Sequence, residues 1–403
     1  MGSQESTMPA APQGASGPTL PMIVEVHHRM EPLEREWRSL ERNNGNSLHQ
    51  GYDWCAAWIK THDTQPAIVR ATDGDKTLFI LPLEIVRHNM VRTAQFIAGR
   101  FSNINTGLFS PEFRSLTDEI TMRSIGGRLI ESLRDKADIV TLRNVPLLWR
   151  DEPHPFRYLP SIVNQNHAFQ LPLLETFTAT IAQLNAKRRR KKFRSQVKRL
   201  EVSGGFDHIV ARTPVERSAL MELFFQQKAV RFKALGLPNV FHAPETQAFF
   251  HLLLETDGGG RDTPLQLHAI RLKGEHEGKI AAIAGLSRKG DHIICQFGSI
   301  DESVAAEASP GELLFWLMIE QACAEDATLF DFGIGDQGYK RSWCPVETVQ
   351  HDILLPISAV GRFAVVAQRG VTRTKAAIKG NPRVYALLQR LRAKTGPSES
   401  TDD

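Results

Sequence analysis

Residues Phe330 to Trp343, FDFGIGDQGYKRSW, gather reactive side chains directly after an apolar run. A carboxylate (Asp336), a phenol (Tyr339) and an ammonium (Lys340) lie within five residues of one another. Such a set can accept a proton, donate one and hold an anion. Gly333, Gly335 and Gly338 let the chain turn sharply between them. Each side chain also has a plain structural use. Asp336 can cap the glycine turn, Tyr339 can be a half-buried ring with a wet hydroxyl, and Lys340 can be a solvated cation. Trp343 suits packing or the wall of a cleft. Asp331 stands between Phe330 and Phe332, so strand alternation turns it away from those rings, toward a cleft or solvent.

Upstream, Ser309-Pro310-Gly311-Glu312 precedes the apolar run LLFWLMI. Serine at N-cap, proline at N1 and glutamate at N3 predict a helix opened by a capping box. The same helix start can hold a phosphate through free backbone amides and the helix dipole, which makes Ser309 and Gly311 candidate anion contacts.

The elements that position these residues follow from periodicity. MIVEVH reads as a strand. Leu33, Trp37 and Leu40 mark one helix, and Trp54, Ala57 and Trp58 a second. Extended segments follow, then a polar loop, a helix over 117–136 and the strand DIVTLRNV. The second half runs through LQLHAIRLKG, GKIAAIAGLSRKG and DHIICQFGSID to a loop, the apolar helix and TLFDFG. Three strands, loop, helix, strand therefore occurs twice, which predicts two copies of one α/β unit. The expected organisation is a disordered leader over 1–20, an N-terminal half over 21–165, a C-terminal half over 166–358 and a basic helical tail over 359–403.

In this context the last motif becomes specific. A strand ending in D-F-G-x-G-D-x-x-Y-K-x-x-W after an SPG-started helix resembles the CelD-type acetyltransferases, GNAT-like proteins of cellulose or exopolysaccharide biosynthesis. Trp37 and Leu40, Trp54 and Trp58, Pro82 and Leu83, Arg199 and Leu200, and the helix end from Arg231 to Gly236 fit the same pattern, over roughly residues 22–395. The chain departs from it at Ser102-Asn103-Ile104-Asn105, where an acidic residue is common. The resemblance implies a tandem GNAT fold, two mixed sheets flanked by helices, as in the FemAB-type aminoacyltransferases. One half would bind acetyl-CoA or another acyl-CoA, and the cleft would take an amine, with direct transfer in a ternary complex and no metal. It further implies Asp336 as proton acceptor and Tyr339 as partner of the leaving thiolate. Gln296, Ser299, Ser309, Gly311 and Lys340 would lie along the donor, and Asp331, Trp343 and Arg231 toward the acceptor. An aminoacyl-tRNA donor and a non-catalytic anion- or nucleic-acid-binding role are the alternatives.

Bulk properties narrow the classes. The 403 residues suit two ordinary domains, and 41% hydrophobic content supports packed cores. Four scattered cysteines with no CxxC pair suggest neither a zinc site nor a disulfide framework. No apolar run approaches the ~20 residues of a membrane span, so a cytoplasmic protein is expected. The net charge of +4 hides two basic segments. Residues 187–199 carry nine cations and no acid, as do residues 353–398, and removing both leaves about −14. KRRRKKFRSQVKRL reads as a helix with Phe193, Val197 and Leu200 on one stripe. Its cations suit CoA phosphates, a sugar nucleotide, an anionic polymer or solvent. With one aromatic among them, no nucleic-acid stacking platform is expected, and nucleic acid is no obligate partner. RVYALLQRLRAK in the tail forms an amphipathic pattern suited to docking on the protein or to peripheral membrane contact.

Overall fold

The computed structural model describes residues 22–115, 118–259 and 261–380. The expected leader and the RVYALLQRLRAK segment lie outside the described residues. The first half comprises β1 (Met22–His27), α1 (Glu34–Glu41), α2 (Tyr52–Thr61), β2 (Ile68–Asp73), β3 (Lys76–Leu81), β4 (Leu83–His88), β5 (Val91–Phe96) and β6 (Leu108–Phe109). It continues with α3 (Pro111–Ser115), α4 (Glu119–Ser132), β7 (Ile139–Pro146), the small hairpin β8 (Leu148–Trp149) and β9 (Glu152–Pro153), and β10 (Ser161–Val163). Pro82, which has no amide to donate, interrupts the run that carries β3 into β4. The chain thereby passes from a four-stranded sheet, β1-β2-β3-β6, to a five-stranded one containing β4, β5, β7 and β10. Asp118 caps α4, its carboxylate accepting from Thr121 N at 2.7 Å, and Met122, Ile125 and Leu129 form the helix's buried stripe.

The second half comprises β11 (Ala168–Pro172), α5 (Phe177–Ala182), α6 (Ala186–Val202), β12 (Phe206–Val210), α7 (Pro214–Ala234), α8 (Pro244–Glu255), β13 (Thr263–Leu272), β14 (Ile280–Lys289) and β15 (His292–Ile300). After these come α9 (Pro310–Ala324), β16 (Leu329–Ile334), α10 (Gly338–Trp343), β17 (Val346–Thr348), β18 (Gln350–Pro356) and α11 (Ala359–Gly380). Its seven-stranded sheet has the order β12-β13-β14-β15-β16-β11-β17. The repeat read from the sequence is real. In each half a helix, α4 or α9, crosses between two strands that pair in parallel, β5 with β7 and β15 with β16. The architecture is the expected α/β arrangement, with two mixed sheets flanked by helices.

The periodic pattern does not reveal that the second half gives a strand to the first half's sheet. β18 lies in the first sheet, between β7 and β10, although the sequence division groups residues 350–356 with the C-terminal half. β11, the first strand after β10, lies in the second sheet between β16 and β17. Alternation defines a strand's faces but carries no record of which neighbour it will pair with.

Three main cores result. One joins the halves: Trp54 and Trp58 of α2 meet Phe249 of α8 edge-on at 5.2 Å, and Phe224 of α7 stacks on Phe297 of β15 at 4.1 Å. A second lies on the opposite face of the seven-stranded sheet, beneath α6 and α9. The third fills the first half behind α4. Among the described residues no helix is long and apolar enough to cross a membrane.

Candidate functional site

β15 and β16 pair over three positions only: His292 with Leu329, Ile293 with Phe330 and Ile294 with Asp331. On its other edge β15 stays paired with β14 as far as Ile300, with a bulge that leaves Gln296 between the pairs Leu286–Cys295 and Gly285–Phe297. From Gln296 to Ile300, β15 thus has one edge with no strand partner among the described residues, facing a wedge between diverging strands. Such an edge offers backbone groups to an extended, amide-bearing ligand.

The helix α9 begins beside the end of β15. A Cβ on Gly311 would approach Ile300 Cγ2 to 2.8 Å, so glycine is what permits this closeness. The capping box expected at Ser309 does not form. Ser309 is left-handed (φ 50°) and its side chain makes no cap hydrogen bond. The Glu312 carboxylate instead pairs with two cations of α6, Arg189 (2.9 Å) and Lys192. Gln196 Nε2 donates to Ser309 O at 3.3 Å, and Arg199 donates to Glu307 O. The basic helix is therefore packed against the loop and first turn at the mouth of the wedge. Its predicted apolar stripe faces inward, with Phe193 stacked on Trp316 at 4.6 Å.

The FDFGIGDQGYKRSW motif divides into bracing and presented residues. Asp331 does not face solvent or an open cleft; it is fully buried. Its Oδ1 accepts from Gly333 N at 2.6 Å and its Oδ2 from Gln170 Nε2 at 3.1 Å, with His292 Nε2 at 3.5 Å. Burial alone would raise this carboxyl. The His292 hydrogen bond and charge, the Gln170 amide and the Gly333 N–H outweigh it and hold the pKa below the usual value. Lys340 is likewise not a phosphate contact. It is buried, and Nζ donates to Gly333 O (3.2 Å) and Ile334 O (2.6 Å), tying off the strand end. Trp343 is buried beneath the Arg189 guanidinium, 3.7 Å from the ring centroid, and lines no open acceptor surface. Gly333 needs its glycine, since φ is +72° and a Cβ would fall 2.8 Å from Asn103 Nδ2 of the first half.

Tyr339 and Asp336 remain accessible. The Tyr339 ring stacks on Phe315 of α9 at 5.5 Å, and burial pushes its phenol well above its ordinary pKa. Asp336 lies at the surface, where the Arg341 guanidinium binds both carboxylate oxygens. Its geometry matches the turn-bracing use. Arg231 is exposed and pairs with Glu302. Ser299 Oγ donates to Gln227 Oε1 of α7 at 2.6 Å, and the Gln296 side chain is engaged within the protein. Any donor contact at Gln296 and Ser299 would therefore fall on their backbone.

Two residues near the wedge escaped the sequence reading. His49 reaches across from the first half, with Nε2 3.1 Å from Gln296 Nε2, whose amide also donates to Ser287 Oγ at 3.0 Å. His49 Nδ1 lies 3.2 Å from Ile104 O, so the fitting tautomer carries its proton on Nδ1. Burial pushes its pKa down to about 4, and the ring stays neutral. His49 thus bolts the bulge of β15 to the first half. Lys228 of α7 is the other. Half-buried, it makes no hydrogen bond or ion pair among the described residues, and its ammonium lies 5.6 Å from the Phe232 ring. Burial lowers its pKa. No local motif marks either residue; His49 gains its setting only when the halves close, and Lys228 when α7 packs on its sheet.

Two spaces lie between the halves near this network. One of about 10 Å³, about a water's size, is lined by His49, His292 and Asp331. The other, about 600 Å³, lies by the turn between β14 and β15 and is lined by residues including Arg35, Arg42, Asp53, Asp257 and Lys289.

Residues 187–341 match the family model described as an acetyltransferase (GNAT) domain. No curated protein matches the chain. The fold is similar to the crystal structure of FemX, with TM-score 0.58, 12% identity and coverage of 82% of this chain and 97% of that one. A conserved protein of unknown function from Bacteroides thetaiotaomicron gives 0.54 and 11% identity, covering 82% and 99%. L-PGS from Bacillus licheniformis gives 0.50 and 14%, covering 85% and 97%. The matched span resembles a GNAT acetyltransferase domain and includes the wedge, the bulge and the start of α10.

Proposed function

We propose that this protein is an N-acyltransferase that moves an acyl group, typically acetyl, from acyl-CoA directly to the amine of an amino sugar or related metabolite in polysaccharide or envelope biosynthesis. The observation that carries this reading is the wedge between β15 and β16, with its bulged, unpaired edge beginning at Gln296. A pantetheine-type arm fits such an edge as an added strand. Backbone N–H groups at a bulge are suited to a thioester oxygen as it gains charge. Tyr339 keeps its proton at neutral pH and can hydrogen-bond the departing sulfur. Asp336, shared with Arg341, would take the amine proton only through water.

Two measurements test this. Saturating acetyl-CoA should raise the melting temperature, by the equivalent of about 2.7 kcal/mol at a hundredfold excess over Kd. Thiol release against a panel of amines and amino sugars should identify an acceptor. If aminoacyl-tRNA supports transfer and acetyl-CoA does not, the aminoacyltransferase alternative replaces this reading; if neither does, the non-catalytic one gains.

For the site itself, Tyr339→Phe should lower kcat about 10²-fold with acetyl-CoA affinity unchanged. Asp336→Asn should cost less. A Tyr339→Phe enzyme with wild-type kcat would remove the phenol from the reaction.

A further inference from the structure

Of the nine cations of α6, three are held by the protein and six, Arg188 and Arg190 among them, are not. Arg189, Lys192 and Arg199 turn toward α9, α10 and the loop at the wedge mouth, where Glu312, Ser342 O and Glu307 O engage them. Lys187, Lys191, Arg194 and Lys198 are different. They recur at i, i+4, i+7 and i+11, which places them on one stripe opposite the buried Arg189, Gln196 and Leu200. All four are exposed, and none makes a hydrogen bond or ion pair among the described residues. At 1.5 Å per residue the stripe is about 16 Å long. Four uncompensated like charges on one helix repel one another, an unfavourable arrangement that an anionic partner would relieve.

We infer that this stripe docks an acidic carrier protein whose phosphopantetheine arm bears the acyl thioester, so that the donor is a carrier-bound acyl group. This rests on the acyltransferase reading above and specifies its donor. The arm of such a carrier has the same chemistry as the pantetheine half of acyl-CoA, so the wedge accepts either. Only the carrier adds a macromolecular surface, and the stripe lies on the outer face of the helix whose inner face packs against the mouth. In the transfer, the amine nitrogen forms a bond to the thioester carbon as the carbon–sulfur bond breaks. The thiol of the arm leaves with a proton equivalent to the one the amine loses.

Charge distribution favours a protein over RNA. Outside its two basic segments the chain carries about −14, so no broad positive field surrounds α6 for a long phosphate backbone. The one aromatic among the cations, Phe193, is stacked inward on Trp316 and offers no base a platform. A stripe of about 16 Å matches carboxylates spaced along one face of a single acidic helix.

The test compares acetylated holo acyl carrier protein with acetyl-CoA as donors, in the full-length wild type and in the K191E/R194E/K198E variant, with melting temperature as the folding control. The wild type should take acetyl from the carrier. The variant should lose at least tenfold in kcat/KM for the carrier, together with the salt dependence, while acetyl-CoA turnover stays within twofold. Apo carrier protein, which has no arm, should bind the wild type and not the variant. If acetyl-CoA is used and the carrier neither binds nor donates, the inference falls while the acyltransferase reading stands. If neither thioester donates, that reading falls and this one with it. Equal losses for both donors, or transfer RNA binding that outcompetes the carrier and vanishes in the variant, would also overturn it.

Discussion

Expressed alone, neither residues 22–165 nor residues 166–358 should fold to a stable domain. The first fragment lacks β18, which pairs with both β7 and β10 and buries Ile353, Leu354 and Leu355 almost completely. Burying such side chains is worth about 1.5–3 kcal/mol each, and a domain's whole stability is only about 5–15 kcal/mol. The fragment also exposes the facing edges of β7 and β10 to water. The second fragment keeps β11, but its β18 has no sheet to join. Circular dichroism melts of the two fragments should show no cooperative transition, and limited proteolysis should degrade both. Mixing them should recover some native signal, since together they supply every strand. A fragment over 22–165 that melts cooperatively near the full-length temperature would show that β18 is dispensable to the first sheet.

The second large effect is a loss of stability on mild acidification. Burial holds His49 at about 4, and His154 and His268 at about 3, against an ordinary value near 6.5. His154 is fixed in this state by Thr106 O at 2.9 Å, and His268 faces His208 Nε2 at 3.2 Å. Each ring is neutral in the fold and protonates freely once unfolded. Below pH 6.5 the unfolded chain therefore binds protons that the folded chain refuses, and the balance shifts toward unfolding. The loss should reach roughly 2 kcal/mol per histidine by pH 5, and it continues until the folded pKa values are passed. Asp331 adds nothing in this window. Its depressed pKa contributes stability above the ordinary carboxylate range that is lost only at lower pH. Urea midpoints measured from pH 7.5 to 5 should fall steadily; a flat profile would mean that these rings titrate normally.

Much of the fold was legible because periodicity reports local structure. The doubled strand and helix order, the inward stripe of α6 and the glycine turn after β16 all come from spacing of apolar residues and glycines. The crossing of β18 into the first sheet was not, since pairing is a long-range choice. At the site, position was readable but role was not. Asp331 and Trp343 were expected toward the acceptor and Lys340 along the donor, yet burial assigns all three to bracing. Lys340 could not be told from a solvated lysine without knowing that two strand-end carbonyls lie within its reach. Ser309 failed as a cap because its backbone is left-handed, which the sequence SPGE does not announce. His49 acquires meaning only from the partner half.

The crossing of β18 into the first sheet also sets a schedule for synthesis. β7 is complete when residue 146 has been made, but its neighbour β18 ends at residue 356, more than 200 residues later. At ordinary elongation rates of about 5–20 residues per second, the first sheet waits on the order of ten to forty seconds with an unpaired interior edge. Two nascent chains on one message hold that edge open side by side, and each could lend the other a β18. An interlocked dimer is the characteristic error to expect from overexpression of this protein, and a slow ribosome or a cold culture would favour it.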